Sequence, residues 1–305
     1  MSIARAVAVG LSLCVLPAAA SADTAKAWTA AKAGLPTTTA VVVGFDVATL
    51  TKSTLFKMAF PMLLSQKPEL KAGLELVKTT CKIDVLTTVD GMVAGMDKDQ
   101  KQGALYLQVK GVDEKALLAC LDAIAKTKGA KMKVTTDGVI TELAVDTDKI
   151  FLTWISKDVI ALGLESGDKT QLATWTGGKK AFAKSPAAPL AAKVDTKAAI
   201  WAASTVERDV DGIKMKGGYG GLTSAKANLA FDLHLLLPSA ADAKKVAEKA
   251  SAELATKING PGLAPALKPV LESVSIKDAG TEVVVKANVA EGQVLSIVGA
   301  LMNGP

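Results

Sequence analysis

The sequence predicts an α+β fold of two similar lobes, in each of which an antiparallel sheet is covered on one face by helices. Three observations lead there. Apolar, strand-like segments are separated by tight-turn signals, the clearest being Asp137-Gly138 between Met132–Thr136 and Val139–Val145, so neighbouring strands pair as hairpins. Segments with apolar residues every three or four positions follow the strands, and such helices have one face to bury. The order of strand, helix, hairpin and closing helix occurs in residues 40–176 and again in 198–305, with little identity of residues. An internal structural duplication is therefore expected.

Residues 1–22 read as a secretory signal peptide. Arg5 precedes the apolar run AVAVGLSLCVLP, and AAASA offers a cleavage site between Ala22 and Asp23. Lipoprotein processing at Cys14 wants a small residue before it, and Leu13 stands there. After Ala22 no run reaches the eighteen or so apolar residues of a spanning helix, so the mature protein is expected in the periplasm or outside the cell, without a transmembrane segment.

Residues 23–39 form an N-terminal arm, either mobile or a short helix. Ala40–Phe45, AVVVGF, is a continuous apolar run suited to a buried strand. Asp46 then serves as the N-cap of a helix, with Phe45 and Leu50 at staple spacing, and that helix should break near Pro61. The next begins at Pro68, a favoured first helical position, and its stripe is Leu70, Leu74, Val77 and Cys81. Ile83–Met96 and Gly103–Lys110 read as strands around the turn 97–102. Asp97 and Asp99 open like a calcium loop, but Lys101 and Gln102 occupy the next two required positions, so no calcium site is expected.

The helix after Gly111 has Asp113 as N-cap and a stripe of Leu117, Cys120, Leu121 and Ile124. Both cysteine-bearing stripes point to a core, so two packed helical faces bring Cys81 and Cys120 within bonding distance. In an exported protein these two are expected to form a disulfide; the alternative is a pair of buried thiols acting as small hydrophobes. After the Asp137-Gly138 hairpin come strands Ile150–Ile155 and Val159–Leu164 and a short helix from Asp168 to Trp175. Residues 177–197, rich in Ala, Lys and Pro, form the linker between lobes.

In the second half, Ala198–Thr205 and Ala225–Leu237 are strands. Ser239 caps a helix reaching about Ile258. Val274–Lys277 and Glu282–Val289 form a hairpin, and Ala290–Met302 closes with a helix.

Chemistry is sparse. The single histidine, His234, alternates in NLAFDLHLLL on the face opposite Leu229, Phe231, Leu233 and Leu235, as a solvated or hydrogen-bonded strand residue does. One histidine and two bonded cysteines do not assemble a zinc site, and there is no G-x-S-x-G elbow for a catalytic triad. Ser166-Gly-Asp-Lys169 matches S-x-x-K, but neither S-D-N nor K-T-G follows it. Gly217–Gly221 has no phosphate-loop spacing and reads as a flexible loop. Beyond the leader Arg208 is the only arginine, and aromatic residues make up 4% of the sequence. Guanidinium forks and stacking platforms are therefore missing, and the net charge of +6 reflects a lysine-covered surface, not nucleic-acid binding.

The segments VVVGFDVATL, C-x-I-D followed by V-D-x-x-x-x-G, and VDTKAAIWAAS resemble exported bacterial proteins of unknown function that share a strand-helix opening and a central segment of the pattern D-x-x-A-x-x-W-A-A. That resemblance implies the duplicated α+β plan and no activity. The expectation is a non-enzymatic periplasmic protein, without cofactor, that binds an envelope partner or an apolar small molecule. The alternatives are a glycan-acting hydrolase using carboxylates alone and a structural or adhesive surface protein.

Overall fold

The computed structural model describes residues 24–293, apart from 147, 165–167, 211, 226–227, 262, 264, 266 and 291. The signal peptide, the Ala22–Asp23 cleavage site, Ser166 and nearly all of the expected Ala290–Met302 helix lie outside the described residues.

Of the two readings for the N-terminal segment, the structure has the helix. Ala25–Gly34 (α1) buries Ala27, Trp28, Ala31 and Gly34, one side of three turns. Val41–Phe45 (β1) follows, and the Asp46 carboxylate accepts the Thr49 N–H at 2.9 Å, the N-cap expected of it. The helix it caps is one turn, Val47–Leu50 (α2), because Ser53 caps a separate helix, Thr54–Gln66 (α3). Pro61 sits inside α3 without ending it; the helix stops where Pro68 opens Pro68–Cys81 (α4). The expected break near Pro61 is thus displaced to both sides of it.

The strand expected over Ile83–Met96 is also corrected. Asp84 accepts the Leu86 N–H and starts a helical turn, Val85–Thr88 (α5), so the strand is Val89–Met96 (β2). Gly103–Val109 (β3) pairs with it across the turn, where Asp97 Oδ1 accepts the Lys101 N–H at 2.9 Å. Glu114–Thr127 (α6) is capped by Asp113 through Ala116 N–H at 2.7 Å. Four strands then meander: Met132–Asp137 (β4), Ile140–Val145 (β5), Asp148–Ser156 (β6) and Val159–Gly163 (β7). Lys169–Thr176 (α7), a 3-10 turn at Ala181–Lys184 and Ala188–Ala191 (α8) lead to the second half.

Ile200–Ser204 (β8) comes next, then a small ribbon of Arg208–Val210 (β9) and Ile213–Met215 (β10). Gly218–Ala225 (β11) and Asn228–Leu236 (β12) form a hairpin, so Ala225 ends one strand instead of starting the next. Ser239 caps Ala240–Asn259 (α9), Lys268–Glu272 (α10) follows, and Ser275–Ala279 (β13) pairs with Glu282–Ala290 (β14).

Among the described residues, twelve strands make one antiparallel sheet in the order β13-β14-β12-β11-β8-β1-β2-β3-β7-β6-β5-β4. The α+β class stands, but the halves do not have separate sheets: β1 pairs with β8 in register from Val41–Ser204 to Phe45–Ile200. Gly217–Gly221 is likewise not a free loop. From Gly218 it is a strand between β8 and β12, and a Cβ at Gly220 would stand 2.2 Å from the Asp232 carbonyl oxygen. Those glycines admit a close neighbouring backbone, which composition alone reads as flexibility.

In the first half both faces of the sheet are covered, because its strands alternate between two cores. Along β3, Ala104 and Tyr106 face one side while Leu105, Leu107 and Val109 face the other. The first core is aromatic: Trp28 meets Trp201 edge-on at 4.8 Å and Phe182 at 5.4 Å, and Tyr106 Oη donates to the Trp175 carbonyl at 2.6 Å. Residues 177–197 belong to it, with Phe182, Ala187, Leu190 and Ala191 buried there and Gly178 N–H bonded to Gly34. The second core lies under α4 and α6.

Candidate functional site

The second face of β3, β5, β6 and β7 presents Leu107, Leu143, Leu152 and Ile160. Above it α6 turns down Leu117, Cys120, Leu121 and Ile124, the stripe its spacing predicts, and α4 contributes Leu70, Leu74 and Val77. Cys81, at the last position of α4, is bonded to Cys120 in the middle of α6, with Cα atoms 5.0 Å apart. The pairing expected from the two stripes is present.

The bonded helices form a roof that does not close on the sheet. Between them is a cavity of about 420 Å3, within the range of small-ligand sites. Its wall is aliphatic almost throughout. Among the described residues, its charged side chains come only from Glu69, in the first turn of α4, and Lys128, the C-cap residue of α6. Gly73 lines it from the middle of α4, and apart from its two chain neighbours and the helix's own backbone no atom lies within 4 Å of where its Cβ would stand. The half-exposed state of Leu74 and Val77 has the same origin, since they overhang open space.

His234 is placed elsewhere, as a hydrogen-bonded strand residue. Its Nδ1 is 2.8 Å from Glu282 Oε2 and 3.1 Å from Tyr219 Oη, and its ring stacks on Tyr219 at 4.4 Å. Tyr219 donates to the same Glu282 oxygen at 2.9 Å, and Lys193 Nζ donates to Oε1 at 2.8 Å. Burial alone would raise the Glu282 pKa, but hydrogen bonds from Lys193, His234 and Tyr219 outweigh it and lower it to about 2. Burial and the bond to that carboxylate push Tyr219 up to about 12.

This cluster borders a second concavity, about 430 Å3, with Gly220 and Gly221 in its lining and Asp232 and Lys286 also beside it. A glycan hydrolase needs one carboxyl group that still holds its proton near neutral pH. Glu282 is held ionised and does not meet that need, and the neighbouring Asp232 accepts a hydrogen bond from Lys286 at 2.9 Å. Glu282 and Tyr219 escape a reading of the sequence because their meeting depends on strand register across 63 residues.

Among the described residues no group of three or more His, Cys, Asp or Glu is placed to hold a metal, and no helix is long and apolar enough to cross a membrane.

The fold belongs to a class already represented among solved proteins: a long antiparallel sheet with helices on its faces. Among solved proteins, TP0453 is similar to it in fold. Crystal form III of TP0453 superposes with a TM-score of 0.51 at 8% identity, covering 88% of this protein and 96% of that one. Crystal form I gives 0.49 at 10% identity, over 88% and 95%. The likeness is one of fold. No family model and no curated protein matches the sequence.

Proposed function

We propose that this is an exported, non-enzymatic protein that holds an apolar ligand in the cavity between the cysteine-tied helices and the sheet. One observation carries the reading: a cavity of about 420 Å3 whose wall is aliphatic apart from Glu69, Thr88, Lys128 and the disulfide-bonded Cys120. A polar solute would lose its hydration there without replacement hydrogen bonds, whereas a hydrocarbon group loses nothing. A methylene takes up about the volume of a water molecule in the liquid, roughly 30 Å3. The space therefore suits about a dozen such groups, a medium-length hydrocarbon tail or a compact ring system. The leader-like N-terminus and the disulfide support an oxidising, extracytoplasmic location.

The test is a titration with the fluorescent apolar probe N-phenyl-1-naphthylamine. The oxidised protein should bind it saturably with a rise in emission. Gly73→Trp, which places an indole into the open space without requiring an unusual backbone, should weaken binding at least tenfold while the fold is retained. Equal binding by the two proteins would remove the cavity as the site.

A further inference from the structure

We infer that the Cys81–Cys120 bond is a redox latch on the roof of the cavity, so that reduction opens the roof and speeds release of the occupant. This rests on the apolar-ligand reading above. Its own support is where the bond lies and how little else holds the helix it secures.

The bond joins the two roof helices to each other and ties neither to the sheet. Cys120 lines the cavity, and Cys81 ends α4. The packing neighbours of α4 are mainly α6, α3 and α5, all helices. Of its side chains only Leu70 is buried; Leu74, Leu76 and Val77 are half-exposed over the empty volume. A helix with so little apolar surface covered gains little from staying down. Leu70 holds the N-terminal end of α4, near its junction with α3, and the disulfide holds the C-terminal end. Breaking the bond therefore frees one end of a lid whose other end stays anchored. The strands beneath do not depend on the bond, since β2 and β3 are paired with each other and with β1 and β7.

The bridge is open to exchange from one side. Cys120 is 7% exposed, and Cys81 is less deeply covered. A thiolate from a dithiol reductant attacks Cys81 Sγ; the S–S bond breaks and Cys120 leaves as a thiolate that takes up a proton. The second thiol of the reductant then attacks the mixed disulfide, releasing Cys81 as its thiol and the reductant as a cyclic disulfide. Two electrons and two protons pass from the dithiol to the protein.

The experiment measures the dissociation rate of N-phenyl-1-naphthylamine by stopped-flow into excess lipid vesicles as acceptor. It compares the oxidised protein, the protein reduced with dithiothreitol, and the Cys81→Ser, Cys120→Ser double variant. Amide exchange in α4 and β3 is followed in parallel. The latch predicts at least a tenfold faster release from the reduced and double-variant proteins, with protection lost in α4 and kept at Leu105 and Leu107 of β3. Equal release rates, or loss of protection in α4 and β3 together, would overturn the latch and make the bond a general staple. If the oxidised protein takes up no probe, the apolar-ligand reading fails first and the latch with it.

Discussion

Glu282 shows how much a single residue can organise. It collects hydrogen bonds from a lysine after α8, a tyrosine on β11 and a histidine on β12, and so ties the segment between the halves to the second half of the sheet. Its pKa is lowered from the ordinary 4.5 to about 2, so the folded state favours the carboxylate and the stability it lends is complete above about pH 5. That contribution is lost as the pH falls from about 4.5 towards 2. Glu282→Gln should cost about 1–3 kcal/mol at neutral pH, because the Lys193 ammonium loses its charged partner. The variant should also show a smaller drop in urea midpoint between pH 6 and pH 3 than the parent; an unchanged drop would mean that other carboxylates dominate. Nothing in the sequence marks Glu282, since its partners arrive through register. Cys120, by contrast, is legible in advance because the period of a helical stripe is a local property.

At the scale of elements, the helices with clear caps and stripes are readable from the sequence: α4 from Pro68, α6 from Asp113 and α9 from Ser239. The misreadings fall where two local signals compete. Ile83–Met96 is apolar enough for a strand throughout, yet Asp84 accepts a backbone N–H and turns Val85–Thr88 into a helix first. Gly218–Gly221 reads as mobile because a glycine's purpose in a central strand depends on neighbours brought in from elsewhere in the sequence. The two cysteines are 39 residues apart, and loop-closure entropy gives about 4 kcal/mol for a bridge of that span, less any strain. Replacing both by serine should therefore lower the unfolding free energy by about 2–4 kcal/mol in urea titrations. A loss below about 0.5 kcal/mol would show that the unfolded state is already restricted there.

For the whole molecule the decisive feature is the seam between β1 and β8, which turns two halves into one sheet. Each half offers its own strands and helices in the sequence, so two lobes are the natural expectation; nothing local states that the first strand of one half pairs with the first strand of the other. Trp201 packs over the seam at Gly44, where a Cβ would stand 2.1 Å from the ring. Gly44→Ala should cost about 1–3 kcal/mol as an overpacked core position. Because the halves share one sheet and an aromatic core, tryptophan fluorescence and far-UV circular dichroism should give coincident urea transitions in parent and variant alike. Separate transitions would mean that the halves are independent units.

The cavity is foreseeable only in outline. Aliphatic stripes on α4 and α6 predict a buried seam, while the gap beneath them depends on how the helices sit over the sheet, which no local pattern states. Whether something occupies it is the central question, and intact mass answers it most directly. The protein, exported by a bacterial host and recovered with the Cys81–Cys120 bond formed, would be weighed under native and then denaturing conditions. The apolar-ligand account predicts a native mass exceeding the denatured one by a small hydrophobic compound that extracts into organic solvent, and loss of that excess in Gly73→Trp. Identical native and denatured masses, together with no uptake of N-phenyl-1-naphthylamine, would contradict it.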